Sequence, residues 1–420
     1  MRQDASVMVR GEAKRGRSSG LRAVFAIPGY RRLWAARTVS QWGDVAATVA
    51  LSLLVFELTG SGLGVAGVVA AEIVPVLLLA PLAGAVVDRL PRRTVMISAD
   101  LVRAVLAGVL PLVADHVGAV YAIAAGMSAA TVFFNPAAGA VLPNLVDRDR
   151  LVAANSGIWT AAVLSQIALA PVSGLVITAA GFKIAFWINA VSYLVSAALL
   201  VRLPEPARPA AADSDASAGG RWRGWWTSAA AGVRHITADR RLTALAVGQT
   251  LAALSAGATS ALLVVYIRDH LHAPPAGYGI AIGAIGVGAV LGPLVLVRLI
   301  RDPARPGWVF GPYALRGGVD LTLAAVSSLP PATAALAVYG LGTSTGAVTF
   351  NSMLQATVPD AVRGRVMATF DITWQIGRLA SLGIGAALAD QIGIQAVYVL
   401  GGILLLLAAA LAPLTRTRRP

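Results

Sequence analysis

The chain has 420 residues, of which 57% are hydrophobic and only 13% charged, a balance that leaves too little polar surface to cover a water-soluble globule of this size. Its formal net charge of +14 would point to nucleic acid in a soluble protein, but the basic residues are scattered over short segments rather than gathered on one face, which argues against such a partner. Cysteine is absent, which excludes disulfides, thiolate metal sites and cysteine nucleophiles.

Residues 1–30 are too charged for a signal peptide and read as a disordered cytoplasmic tail. Apolar runs long enough to cross a hydrocarbon core follow. Their approximate bounds are 32–56, 63–87, 94–114, 118–142, 153–178 and 183–202, then 243–267, 277–299, 308–329, 332–357, 366–389 and 395–414. Loops after the odd-numbered spans hold only Lys183 and Arg268 as basic residues. Loops after the even-numbered spans carry Arg89, Arg92 and Arg93, then Arg148 and Arg150, then Arg298, Arg301 and Arg305, then Arg363 and Arg365. Basic loops stay in the cytoplasm while apolar segments insert, so an all-α, twelve-helix polytopic protein with both ends inside is expected. The excess of arginine, alanine and glycine is that of a GC-rich bacterial genome, so the bilayer is expected to be a bacterial inner membrane.

The longest connection, 204–242, begins with Pro204, Pro206 and Pro209 and continues as Arg221-Trp222-Arg223-Gly224-Trp225-Trp226. It reads as a flexible linker followed by an amphipathic helix with its tryptophans at the headgroup level. It separates an amino-terminal half, 31–203, from a carboxy-terminal half, 243–414, with a short cytoplasmic tail at 415–420. The halves also repeat. A shift of 213 residues places Arg103 on Arg316 and Asp88-Arg89 on Arg301-Asp302, and a shift of 214 places Leu151-Val152-Ala153-Ala154 on Arg365-Val366-Met367-Ala368. Two repeated six-helix units joined by a linker suit a transporter whose site lies between them near mid-membrane.

The loop after the second span reads Gly84-Ala85-Val86-Val87-Asp88-Arg89-Leu90-Pro91-Arg92-Arg93. It resembles the signature loop of the major facilitator superfamily, Gly-x-x-x-Asp-Arg/Lys-x-Gly-Arg-Arg/Lys, with Pro91 in place of the second glycine. Ser40-Gln41-Trp42-Gly43-Asp44, Asp100-Leu101-Val102-Arg103, Ala154-Asn155-Ser156, Ile188-Asn189-Ala190-Val191-Ser192-Tyr193 and Ala231-Gly232-Val233-Arg234 are similar to the branch holding macrolide-efflux proteins and the enterobactin exporter. The resemblance runs from about Arg31 to Leu411. It implies the major facilitator fold, proton antiport by alternating access, and a gating role for Gly84, Asp88, Arg89, Arg92 and Arg93, with Asp88 meeting the amino-terminal end of the eleventh helix. In the fifth span, Ala170-Pro171-Val172-Ser173-Gly174 is similar to the family's antiporter motif, and Pro171 with Gly174 is expected to kink or pack that helix.

Ionisable groups near mid-membrane cost about 2.5 to 3.5 kcal/mol each on insertion scales and are therefore retained for a purpose. Asp100 with Arg103 and Arg316 with Asp320 are spaced to pair on one helix face, whereas Asp371 and Arg378 lie too far apart to pair directly. Asp44 and Glu72 have no obvious local partner. Asp44 sits about 18 Å along its helix, so it and Glu72 are the candidate proton-coupling groups. Trp42 and Trp374 are the candidate stacking surfaces for cargo, alongside Trp159, Phe133, Phe134 and Phe350. Gly279 with Gly283 and Gly288 with Gly292 would let the eighth helix slide against a neighbour.

Other chemistry is disfavoured. Gly342-Thr343-Ser344-Thr345-Gly346 has the letters of a nucleophile elbow but lies within an apolar helix, away from His116, His235, His270 and His272. His270-x-His272 reads as a solvated loop rather than a metal site. No phosphate-binding Gly-x-x-x-x-Gly-Lys-Ser/Thr occurs, so an ion gradient must supply the energy. The expected protein is no enzyme, needs no cofactor or metal, and is monomeric. It exports an amphipathic antibiotic, siderophore or secondary metabolite against protons. A proton-coupled importer or lysolipid flippase of the same fold, and a non-transporting membrane sensor or scaffold, are the alternatives.

Overall fold

The computed structural model describes residues 21–147, 150–204, 232–299 and 306–415. The tail before residue 21, Arg148, the Arg221–Trp226 stretch, Arg301, Asp302, Arg305, residues 416–420 and the side chain of Asp88 lie outside the described residues, together with the readings placed on them. Among the described residues the chain forms twelve long helices: α1 (Pro28–Thr59), α2 (Gly62–Arg89), α3 (Arg92–Val109), α4 (Val117–Leu145), α5 (Leu151–Ala180), α6 (Phe182–Val201), α7 (Arg240–Ala261), α8 (Pro275–Leu299), α9 (Pro306–Ala325), α10 (Leu329–Thr357), α11 (Asp360–Ile392) and α12 (Ile394–Ala409). No strand occurs among them.

Most helices overrun the apolar spans read from the sequence. The 33 residues of α11 reach about 50 Å at the usual rise, past a hydrocarbon core of about 30 Å. Nine of the twelve are long and apolar enough to cross a membrane by composition among the described residues. The other three are α9 and α11, which carry charges within their length, and α10, which is rich in threonine, serine and glycine. Gly181 (φ 77°) and Gly393 (φ 96°) make the corners that turn α5 into α6 and α11 into α12. Those corners occupy equivalent places in the two halves, at a backbone angle that a Cβ disfavours.

Two boundaries differ from the sequence reading. Residues 21–30 are not tail: Leu21–Phe25 is a short helix, and Val24 and Tyr30 are fully buried. Phe25 meets Tyr30 and Trp34 edge-on at 5.2 and 5.0 Å, and the Tyr30 hydroxyl donates to the Ala154 carbonyl at 2.9 Å. The basic residues around this aromatic cluster hid it. At the other side of the linker, 232–238 is helical and α7 starts at Arg240, where the Asp239 carboxylate accepts from the Arg241 and Leu242 amides.

The packing repeats with the sequence. α1 packs on α5 and α6, α3 on α4 and α6, and α2 on α4; in the second half α7 packs on α11 and α12, α9 on α10 and α12, and α8 on α10. The halves meet through α2 against α11 and α5 against α8, the exchange a two-fold relation demands. One apolar core draws on both halves at the end carrying the odd-numbered loops, from Val45 to Val55 of α1 through Tyr266 to Tyr398. At the end carrying the even-numbered loops it divides. Val24, Tyr30 and Leu142 belong to a core built from the first half alone, and Phe310, Leu354 and Val366 to one built from the second. The halves are therefore closed together at the odd-loop end and separate at the even-loop end.

Candidate transport site

Where the shared core ends, a cavity of about 370 Å³ opens between the halves. Gln41, Asp44 and Thr48 line it from α1, Gln166 from α5, Thr259 and Ser260 from α7, Tyr278 from α8, Asp320 from α9, Tyr339 from α10 and Tyr398 from α12. The polar positions of α1 recur every three or four residues, which sets them on one stripe of the helix. Three tyrosines, rather than the tryptophans expected from the sequence, supply the aromatic surface. They were missed because each is a single ring in an apolar run with no local signal.

Asp44 is not alone. The Tyr193 hydroxyl, from α6, donates to its Oδ1. The ring of Tyr193 in turn carries the Arg103 guanidinium 4.4 Å from its centroid, and Phe134 carries it at 4.6 Å on another side. Arg103 pairs with Asp100 on the same face of α3, and Asp100 accepts from the Ser196 hydroxyl of α6 at 2.7 Å. Asp100 and Arg103 are both sealed from solvent, at 0% and 3% exposure. The run from Asp44 through Tyr193 to Arg103, Asp100 and Ser196 thus ties α1, α3 and α6 into one polar unit. A residue 149 positions away supplies its central contact, which is why no local pattern revealed it.

The second half answers with a different arrangement. Arg316 was expected to pair with Asp320; instead its guanidinium lies 4.8 Å over the Tyr339 ring and donates to the Tyr339 hydroxyl at 2.9 Å. Asp320 accepts from Ser255 of α7 at 3.2 Å, and its other oxygen is buried without a hydrogen-bond partner among the described residues. The aromatic ring competes for the guanidinium that helical spacing alone would have given to the aspartate. Asp320 is fully buried yet forms part of the central wall.

The four residues proposed for coupling and cargo are not brought together. Asp44 lines the central cavity, but Glu72 lines a separate side cavity of about 280 Å³ inside the first half. Asp44 and Thr48 form part of that cavity too, so they stand between the two spaces. Trp42 turns away from the central cavity: its ring nitrogen donates to Ser165 on α5 at 2.9 Å. Trp374 lines a third cavity, of about 270 Å³, within the second half beside Phe350 and Asp371. Among the other aromatics, Phe134 is spent on Arg103 and Trp159 is exposed. Arg378 donates to Gln375 at 3.5 Å, and it is Glu72, across the interface on α2, whose charge it feels; Asp371 is exposed.

The helix contacts around the site depend on small residues. A Cβ at Gly174 would come within 2.9 Å of the Ala276 backbone of α8, and one at Gly283 within 2.7 Å of the Pro171 ring, so Pro171 and Gly174 form a tight seam between the halves. Gly288 and Gly292 face α10 at Ala337, Leu341 and Ser344 instead. The two glycine pairs of α8 therefore serve two different neighbours. Gly342 to Gly346 of α10 fit against Arg316 and Pro312, the packing role expected for them. In the signature loop, Gly84 has open space around it, Arg92 donates to the Ala140 carbonyl at 2.7 Å and Arg93 to the Leu203 carbonyl at 3.2 Å. His270 contacts the Val326 carbonyl at 3.0 Å, and no group of metal-binding side chains occurs among the described residues.

At the odd-loop end Asp390, the last acid of α11, reaches across to the start of α2. It accepts from the Ser61 hydroxyl at 2.6 Å, the Gly62 amide at 2.7 Å and the Leu63 amide at 3.2 Å. Burial works against its charge, but these three donors outweigh it and hold the carboxyl below the usual carboxylate range. At the same end Glu57 and Arg268 approach at 3.6 Å, a partly exposed pair that contributes little.

Residues 19–419 match the family profile described as "Transmembrane secretion effector". The chain is 29% identical over 408 residues to an uncharacterized MFS-type transporter of Mycobacterium tuberculosis, covering 92% of this chain and 91% of that one. It is 27% identical over 401 residues to the multidrug efflux pump Tap of Mycolicibacterium fortuitum, covering 90% and 93%. Among solved structures it is similar in fold to a bacterial homologue of the iron transporter ferroportin in an inward-facing state, with TM-score 0.73, 17% identity and coverage of 92% and 98%. It is likewise similar to a bacterial homolog of the human lysosomal transporter Spinster, with TM-score 0.72, 13% identity and coverage of 92% and 96%.

Proposed function

We propose, since the chain belongs to the transmembrane secretion effector family of the major facilitator superfamily, that this transporter exports amphipathic small molecules in exchange for protons. The basic even-numbered loops support a placement in the bacterial inner membrane with both termini and those loops in the cytoplasm. In that orientation the divided end of the core faces the cytoplasm, the side from which an exporter loads.

The position of Asp44 carries the reading. Among the described residues it is the carboxylate that belongs to both the central cavity and the side cavity, so a proton and a cargo molecule can compete for the same oxygen atoms. When the carboxylate is free it accepts hydrogen bonds from cargo or offers it a counter-charge, in a largely apolar cavity walled by Tyr278, Tyr339 and Tyr398. When it is protonated that attraction is lost, and cargo is released. Rocking of the halves about α2 against α11 and α5 against α8 would carry the site from one face to the other. The relation to a multidrug efflux pump favours export of several related molecules over one.

Direction is tested in everted membrane vesicles, whose cytoplasmic face is outward. With the lumen acidified, an exporter accumulates ethidium from the medium, and accumulation collapses when the pH gradient is dissipated. Loss of preloaded ethidium under the same gradient would identify an importer instead.

A further inference from the structure

The side cavity of the first half is walled by hard oxygen donors from four helices: Asp44 on α1, Glu72 on α2, Ser128 and Thr131 on α4, and Asn189 on α6. Asn189 is fully buried, and its side-chain nitrogen has no hydrogen-bond partner among the described residues. A buried amide is not left unpaired without cost. Its two ends have the same shape, so the nitrogen can donate to water, or the amide can turn to present its oxygen while the nitrogen donates to Ser192, whose hydroxyl lies 3.3 Å away. The Ser128 hydroxyl meanwhile donates to the Glu72 main-chain carbonyl at 2.5 Å, which leaves its lone pairs free for an incoming group.

The charges around the space favour a cation. Asp44 faces Tyr193 and the field of Arg103, which Asp100 already neutralises; Glu72 faces Asp44 and, from α11, Arg378, with Tyr278 of α8 also within its field. In the wider surroundings three carboxylates meet three guanidinium groups, since Arg37 of α1 also lies in the field of Arg103, but the lining itself carries Asp44 and Glu72 and no cationic side chain. The polar groups of this otherwise apolar lining give a water the roughly two to four partners it needs.

We propose that this side cavity is the ion compartment of the transporter: it holds a small hydrated monovalent cation, proton-bearing water or sodium, which reaches Asp44 from the side opposite the cargo. The inference rests on the coupled-transport reading above and adds where the coupling ion sits. Cargo and ion then approach one carboxylate through separate spaces, and neither must leave by the path on which the other enters.

The absence of cysteine makes single-thiol probes clean. Ser128→Cys places a thiol in the side cavity and Gln41→Cys one in the central cavity, each in the full chain reconstituted in lipid nanodiscs. Modification is followed with the cationic aminoethyl and the anionic sulfonatoethyl methanethiosulfonates. Ser128→Cys is expected to react at least about tenfold faster with the cationic reagent, and ethidium should protect Gln41→Cys but not Ser128→Cys. Slowing by sodium, at constant ionic strength with choline, identifies sodium as the occupant; a loss of the preference for the cationic over the anionic reagent on acidification, a ratio from which protonation of the thiol itself cancels, identifies the proton. Asn189→Leu in the Ser128→Cys background should abolish the charge preference and Asn189→Asp should restore it, with elution volume and melting temperature reporting folding. Equal rates with both reagents, no reaction, or protection by ethidium would overturn the proposal. The coupled-transport reading fails separately, if neither a pH nor a sodium gradient drives ethidium in vesicles.

Discussion

At the scale of single residues, the buried charges are held by aromatic rings and hydroxyls more than by each other. Arg103 has an acid, two rings and a threonine around it, whereas Arg316 has a tyrosine and, among the described residues, no acid within salt-bridge distance, Asp320 acting on it only through its field. Removing one member of a buried pair leaves the other uncompensated, at a cost of about 3 to 5 kcal/mol, while removing both is far milder. Arg103→Met is therefore expected to lower the melting temperature of the purified protein sharply, and Asp100→Asn combined with Arg103→Met to recover much of it. Equal melting of the single and double variants would mean that the rings, not Asp100, carry the guanidinium. Helical spacing made the Asp100 and Arg103 pair legible in the sequence. It failed for Arg316 and Asp320, because an aromatic ring on a different helix captures the cation, and spacing along one helix says nothing of its neighbours.

At the scale of helices, the interface between halves is set by contacts that differ in tolerance. A side chain at Gly174 has to displace the Pro275 and Ala276 backbone of α8, while Gly84 has room for one. Gly174→Val should therefore cost about 1 to 3 kcal/mol in the state closed at the odd-loop end and shift the protein towards the opposite opening, whereas Gly84→Ala should leave this state unchanged. Paired spin labels on α5 and α8 read the difference as a distance change; identical distributions for both variants would remove the seam's special role. The Asp390 contact to the start of α2 closes the same end. Its carboxyl is held below the usual range, so its contribution is fully present above the ordinary carboxylate pKa of about 4 and is lost only as pH falls through the lower folded value. The closure is therefore expected to be insensitive to pH between about 5 and 8, while Asp390→Asn should lengthen the distance between labels on the odd-loop ends of α2 and α11. A closure that loosens between pH 8 and 5 would assign it to another group. Helix number and order were readable from apolar runs and alternating loop charge, since insertion acts on each segment alone. The partners of α8 were not, because its glycines fit two neighbours equally well until the bundle is assembled.

At the scale of the molecule, the described state joins the halves over one core at the odd-loop end and leaves them with separate cores at the other. Alternating access requires a second state in which that asymmetry reverses, and an energy difference of only about 1.4 kcal/mol moves the ratio of the two tenfold. Small contacts at the ends of α2 and α11 are thus sufficient to bias the cycle. Asp44 was identifiable from the sequence as a carboxylate deep in the first helix. Its place between two cavities was not, because those cavities are made by residues of ten different helices. The central claim, that protons and cargo meet at this carboxylate, is tested most directly by pH-driven ethidium transport in proteoliposomes containing purified wild-type protein or Asp44→Asn. The account predicts that the variant remains folded and binds ethidium more weakly than the wild type at neutral pH and in a manner indifferent to pH, with gradient-driven accumulation abolished. Accumulation at the wild-type rate by Asp44→Asn would contradict it.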